Sequence, residues 1–171
     1  LVTEDRKRYG LLLHMDIEKN TSMPIYQRIS RLGKINAATE EGTAAKYFDS
    51  LRIKAPSVKE LTKNLSGGNQ QKVVIAKWLG ANAELIIFDE PTRGIDVGAK
   101  QEIYYLINEL IEEGKSIILI SSEIEELFGM SDRILVLAEG EIRGELEKDA
   151  FNADVFMTMA SNIKDRGHKN E

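Results

Sequence analysis

Through the first half of the chain, apolar residues recur three or four positions apart and β-branched runs are absent, so residues 17 to 80 read as short helices joined by loops. Ile25, Ile29, Leu32, Tyr47, Phe48 and Leu51 are apolar positions of that region, and most of them are expected to be core. The pattern changes near residue 82. From there, runs that are apolar at every position alternate with helical stretches. In order these are Leu85-Ile86-Ile87-Phe88, a helix from Val97 to Glu113, Ile117-Ile118-Leu119-Ile120, a helix from Glu123 to Phe128, and Ile134-Leu135-Val136-Leu137. Short uninterrupted apolar runs fit strands of a parallel sheet with helices over both faces, so the second half is α/β. The turn at Gly140 leading into Glu141 to Leu146 predicts an antiparallel edge hairpin, and the polar tail from Asn162 is expected to fray.

With 171 residues, 42% of them apolar and 30% charged, the chain is long enough to bury a core. Its 23 Lys and Arg against 28 Asp and Glu give a net charge of −5, which argues against a nucleic-acid binder with a large basic face. Cysteine is absent, which removes disulfides, thiolate metal sites and cysteine nucleophiles and favours a cytoplasmic setting. His14 and His168 have no partners at ligand spacing. No stretch approaches the ~20 apolar residues of a membrane span, and no basic-then-apolar leader opens the chain. The first residue is Leu1, inside what reads as the end of a strand, so the chain is expected to be part of a longer polypeptide.

Leu65-Ser66-Gly67-Gly68-Asn69-Gln70-Gln71-Lys72 runs into a helix whose apolar residues Val73, Val74, Ala76, Trp78 and Leu79 cover much of its surface. Ser66 and the two glycines therefore open that helix. The first backbone N–H groups there lack intrahelical partners, the helix dipole adds about half a positive charge, and glycine lets a bulky anion come close. Such chemistry suits a phosphate, although for the triplet taken alone an N-capped helix after a flexible loop is the commoner explanation. Further on, the strand Leu85 to Phe88 ends in Asp89-Glu90-Pro91-Thr92. Carboxylates at the carboxyl end of a parallel strand face the ligand crevice, where one can hold Mg²⁺ and the next can orient and deprotonate a water.

Together these segments resemble the ATP-binding cassette ATPases. Leu65 to Gln71 is similar to their signature loop, Leu85 to Glu90 to their Walker B strand, and Arg93-Gly94-Ile95-Asp96 to their D-loop. The run Glu4-Asp5-Arg6-Lys7-Arg8, the Asn69-Gln70-Gln71-Lys72 variant and Glu90 to Lys100 resemble one branch, the second cassette of double-cassette importers of ribose-, galactose- and xylose-type sugars. The resemblance covers about residues 2 to 160. It implies an α/β P-loop NTPase core with a parallel sheet and a small helical subdomain, lacking its Walker A part. None of the 13 glycines makes the Gly-x-x-x-x-Gly-Lys-Ser/Thr spacing, so the phosphate loop is expected upstream and the chain alone is expected to be inactive.

The implied layout is residues 1–16 for the end of a core strand and a Q-loop-like region, 17–81 for the helical subdomain with the signature loop and helix, 82–161 for part of the core, and 162–171 for the tail. ATP and Mg²⁺ are the implied cofactors. Ser66, Gly67, Gly68, Asn69 and Gln70 would meet a nucleotide whose phosphate loop sits on the other cassette, whereas Asp89 (metal) and Glu90 (catalytic) belong to the opposite site. Asp96 lies at the dimer seam and can cap the helix that follows. Glu4 stands where most cassettes have a metal-sensing glutamine, and Ser122 where most have a histidine on the γ-phosphate. Ser122 with Glu125 also fits a capping box. Arg6-Lys7-Arg8 reads as a solvated loop near the permease contact, and Trp78 as core.

The implied partners are the first cassette of the same polypeptide or a second copy, transmembrane permease subunits and, indirectly, a solute-binding protein, with no nucleic acid. The implied location is the cytoplasmic face of the membrane, as a peripheral subunit. Two alternatives stay open: a non-catalytic coupling and dimerisation half, favoured by Ser122 and Glu4 and opposed by Glu90, and a soluble cassette ATPase not linked to transport.

Overall fold

Short polar side chains start the helices of the N-terminal part. Asp16, Asn36, Ser66 and Asp96 each accept a backbone N–H from three residues on, opening α1 (Ile17–Ser22), α3 (Ala37–Ser50), α4 (Gly67–Gly80) and α5 (Val97–Glu112). These features come from a computed structural model, which describes residues 1–161. The expectations for the tail 162–171 and for His168 fall outside the described residues. The chain divides into two units, Leu1–Ile120 and the part from Ser121 onward.

In the first unit, α1, α3 and α4 pack on one another. Their core holds Ile17, Ile25, Ala44, Leu51, Val73, Val74, Ile75 and Ala76, all buried. Glu40 of α3, itself buried, accepts hydrogen bonds from Ser22 Oγ and Tyr26 Oη, both at 2.9 Å, which satisfies the carboxylate inside the helical layer. Between α1 and α3 lie the single turn α2 (Tyr26–Ile29) and a two-stranded hairpin of β1 (Ser30–Arg31) and β2 (Lys34–Ile35), paired antiparallel. The helical reading of residues 17 to 80 did not anticipate this hairpin. Leu32 and Gly33 form its turn, with φ of 51° and 75°, so Leu32 is 96% exposed and is corrected from core to turn tip.

The sheet is parallel, as the apolar runs predict. β3 (Leu85–Asp89) pairs in parallel with β4 (Ser116–Ile120), and Val2 bridges Phe88 on the other edge of β3. Ile86 and Phe88 point into the core, and α5 turns Ile103, Leu106, Ile107 and Leu110 inward. Leu85, Ile118 and Ile120 lie on the opposite face and stay exposed, so helices cover this sheet on one side among the described residues. A polar link joins α4 to α5: Glu102 accepts from Lys72 Nζ at 2.8 Å and from Lys54 Nζ at 3.1 Å. These bonds, Lys72 first, hold the Glu102 carboxyl below its ordinary value of 4.5. A carboxylate with a lowered folded value contributes stability above its unfolded value and loses that contribution as the pH falls through the folded one. The stability gap between wild type and Glu102→Gln in urea unfolding is therefore expected to be present at neutral pH and to close as the pH falls below the ordinary carboxylate range; a gap independent of pH would contradict the link.

The second unit contains α6 (Ile124–Met130), β5 (Arg133–Ala138), β6 (Glu141–Glu147) and α7 (Ala153–Ala160). β5 and β6 form the expected antiparallel hairpin, with Glu139 and Gly140 at φ of 53° and 78° in the turn and a register shift between Val136 and Leu137. Leu127, Ile134, Val136 and Leu146 make its core, with Phe128 stacked on Phe151 at 5.2 Å and edge-on to Phe156 at 6.1 Å. α6 begins one residue later than a capping box on Ser122 requires. Glu123 occupies the cap position, and its N–H donates to Ser121 Oγ at 3.0 Å. The box is corrected accordingly.

Candidate functional site

The start of α4 has the form that the Ser66-Gly67-Gly68 triplet suggested. Ser66 sits at the N-cap with extended backbone, φ −61° and ψ 159°. Its Oγ accepts from Asn69 N at 3.4 Å and from Asn69 Nδ2 at 2.9 Å, while Asn69 Oδ1 accepts from Lys54 N at 2.8 Å. The first helical bond runs from Gln70 N to Ser66 O at 2.9 Å. This leaves the amides of Gly67 and Gly68 without an intramolecular acceptor among the described residues, at the positive end of a 14-residue helix. Gln70 is buried and donates from Nε2 to Thr62 O at 3.0 Å, so its side chain braces the loop from inside. Gly68 is a glycine for reasons of space. A Cβ there would lie 2.7 Å from the Cβ of Ala99 on α5.

At the end of β3, Asp89 remains in the ladder and its N–H donates to Val2 O at 2.9 Å. Glu90 then turns into the left-handed region with φ 47°, while its N–H donates to Ile120 O at 2.9 Å. A non-glycine residue held there by the ends of neighbouring strands carries about 1–3 kcal/mol of local strain, a feature that clusters at functional sites. Pro91 and Thr92 are buried behind it, and Arg93 N donates to Glu90 O at 3.2 Å. Asp96 caps α5, its Oδ1 accepting from Ala99 N at 3.0 Å.

Glu4 follows the Val2 bridge and forms an ion pair with Arg93. Thus Glu4, Asp89, Glu90 and the turn at Arg93-Gly94 share one end of the sheet. Arg6, expected in a solvated loop, is instead half-buried and reaches the same turn, a contact that no local pattern announces because 87 residues separate the partners. Lys7 and Arg8 remain exposed, as expected of such a loop. Ser122 is exposed in the second unit, ahead of α6. Trp78 is half-buried, with Lys77 Nζ 5.6 Å from its ring centre. The Lys77 ammonium donates to Gly10 O at 3.0 Å, and burial pulls its pKa below the usual lysine value.

A profile of the ABC transporter family matches residues 3–93, more than half of the chain. The chain belongs to that family. It is 50% identical over 163 residues to the xylose import ATP-binding protein of Thermoanaerobacter pseudethanolicus, a match covering 95% of this chain and 32% of that protein. It is 48% identical over 160 residues to the ribose import ATP-binding protein of Bacillus cereus, covering 94% and 32% respectively. The ABC chain therefore spans about a third of the length of these curated relatives. Among solved structures, the ATP-binding cassette MJ0796 in a dimeric post-hydrolysis state bound to ADP and Pi superposes with a TM-score of 0.69 at 23% identity, over 85% of this chain and 62% of that one. An ABC transporter in an inward-facing conformation superposes with a TM-score of 0.77 at 17% identity, over 90% and 60%. Both likenesses speak to the fold, which is that of an ABC ATPase cassette.

An ABC family member implies ATP and Mg²⁺. Among the described residues no group of three His, Cys, Asp or Glu side chains could hold a metal ion by itself. Asp89 offers one hard carboxylate oxygen. That fits a Mg²⁺ held mainly by phosphates and water, the habit of this ion in phosphoryl-transfer sites.

Proposed function

We propose that this chain is the latter part of the second cassette of a longer double-cassette ATPase that powers import of a simple sugar or sugar-like solute. The observation that carries this reading is the pair of unbonded amides at Gly67 and Gly68 beside the capped Ser66, joined to near-50% identity with xylose and ribose import ATP-binding proteins. In this reading Ser66, Gly67, Gly68 and Asn69 meet the terminal phosphate of an ATP carried by the other cassette, with Gln70 holding the loop in shape. Asp96 lies at the seam. Asp89 and Glu90 serve the opposite site, on this cassette's own nucleotide: Asp89 supplies an oxygen to Mg²⁺, and Glu90 orients and deprotonates the attacking water. Bound Mg²⁺ would neutralise charge on the phosphates.

Glu4 and Ser122 take the places of the metal-sensing glutamine and the γ-phosphate histidine. Residues 17–81 act as the helical subdomain that meets a transmembrane permease, through which a solute-binding protein is engaged indirectly. The partner cassette is the first half of the same polypeptide or a second copy, nucleic acid is not a partner, and the subunit sits peripherally on the cytoplasmic face of the membrane. No described helix is long and apolar enough to cross a bilayer.

A direct test adds ATP to the 171-residue chain alone and to the complete polypeptide. The chain alone is expected to give no turnover while the complete polypeptide hydrolyses ATP. Comparable rates in the two would refute a phosphate loop supplied from outside this chain. A second reading, in which this half couples and dimerises without hydrolysing, is favoured by Ser122, whose hydroxyl supplies neither a cation nor a long reach.

A further inference from the structure

Three segments far apart in sequence meet at one side chain. Arg6 donates from Nη1 to Arg93 O at 3.0 Å and from Nη2 to Gly94 O at 3.4 Å. The same Nη2 lies 2.9 Å from where a Cβ on Gly67 would stand, so glycine at that position leaves the guanidinium its place. Two residues earlier, Glu4 pairs with the Arg93 side chain. The backbone that presents Arg6 is itself fixed. It starts a π-helical turn, Arg6–Gly10, in which Asp5 Oδ1 accepts from Lys7 N at 3.2 Å and Arg8 N at 3.0 Å, and Leu11 N closes onto Arg6 O at 2.8 Å. The far end of that turn is tied to α4, where Lys77 Nζ donates to Gly10 O and a Cβ on Gly10 would lie 3.0 Å from Val74 Cγ2.

Stability alone accounts poorly for this arrangement. The Arg6 Nε is buried without a partner, burial draws the guanidinium pKa below its usual value, and the acceptors are two neutral carbonyls, one of them long. Bonds of that kind return little of the cost of desolvating a cation. What they do is define geometry: the turn Arg93–Gly94 leads through Ile95 to Asp96, the cap of α5, and Gly67 opens α4.

We propose that Arg6 is a positioning residue that locks the D-loop turn to the opening of α4, so that the segment from Glu4 to Gly10, the seam residue Asp96 and the Gly67 amides move as one body. The inference rests on the reading of Ser66 to Asn69 and Asp96 given under Proposed function. It deepens that reading by naming a link through which a displacement of the Glu4 to Gly10 segment reaches the nucleotide contacts.

The test uses the complete polypeptide and compares Arg6→Met, which keeps the stem and removes the donors, with Arg6→Lys, which keeps one charged donor. The expected result is a kcat about tenfold lower for Arg6→Met with KM for ATP within about twofold of wild type, and about threefold lower for Arg6→Lys. Gly67→Ala should displace the same guanidinium, so the Arg6→Met/Gly67→Ala double variant is expected within about twofold of the worse single one. Backbone hydrogen exchange at residues 93 to 96 should quicken in Arg6→Met while the urea midpoint stays put. An unchanged kcat in Arg6→Met, or losses that multiply in the double variant, would overturn the proposal. If Arg6→Met does not fold, the kcat of Arg6→Lys decides: a loss with unchanged KM supports the lock, and wild-type turnover overturns it. Ser66→Ala in parallel separates the two levels, since wild-type turnover there removes the parent reading of Ser66 to Asn69, whereas its loss beside an unaffected Arg6→Met removes this inference alone.

Discussion

Glu90→Gln in the complete polypeptide is expected to lower steady-state ATP turnover by about 10²–10³-fold, with ATP binding retained. Glutamine matches glutamate in size, so the turn with φ 47° and the bond from residue 90 N to Ile120 O should survive. What is lost is the proton acceptor, and a positioned general base contributes roughly 10²–10⁴-fold. A strained non-glycine residue at a strand end persists only where its surroundings hold it, and here Ile120 O accepts the Glu90 N–H while Val2 O accepts the N–H of Asp89 before it. A half that only couples and dimerises would show little change, so steady-state phosphate release distinguishes the two readings.

The second large effect is expected at Gly68. Its hypothetical Cβ lies 2.7 Å from Ala99 Cβ and 4.0 Å from Ala99 Cα, so the obstacle is the root of a side chain on a helix and not a flexible tip. Gly68→Ala should therefore push the start of α5, with its cap Asp96, away from α4. Overpacking of this kind costs about 1–3 kcal/mol, and, with Asp96 at a dimer seam as proposed, its displacement should lower turnover by at least about tenfold. Ala99→Gly removes the opposing methyl, so the Gly68→Ala/Ala99→Gly pair is expected to recover most of the urea midpoint and of the turnover. If the second substitution restores neither, Gly68 is needed for something other than room between the two helices.

Local signals carried much of this far. Ser66 and Asp96 each precede a helix with apolar spacing, and both are found as caps. The apolar run Leu85 to Phe88 is a parallel strand ending at Asp89, and the helix expected from Val97 to Glu113 differs by one residue at its end. Gly140 marked a hairpin turn because the apolar run Ile134 to Leu137 leads into it, whereas Leu32-Gly33, a turn of the same X-Gly kind, is flanked by Ser30-Arg31 and Lys34-Ile35, which are too short to show a strand pattern. Continuous apolar runs also imply cover on both sheet faces. Leu85, Ile118 and Ile120 are exposed, so the pattern reflects burial beyond what the described residues supply.

The local geometry of the candidate site was readable where it depended on residue type and spacing, as for the helix start at Gly67 and the strand end at Asp89-Glu90, and unreadable where it depended on distant backbone. Arg6 is the clearest case. Its partners are main-chain carbonyls, which every residue possesses, so nothing at positions 93 or 94 advertised the contact. Gly68 is similar: its spatial constraint comes from Ala99, a small residue unremarkable in its own segment.

The most direct measurement is a structure of the complete assembly with a non-hydrolysable ATP analogue bound at both sites. The γ-phosphate carried by the opposing cassette is predicted to lie within about 3 Å of Ser66 Oγ and of the Gly67 or Gly68 amide nitrogens. A trapped nucleotide toward which the opening of α4 presents no amide would contradict the account.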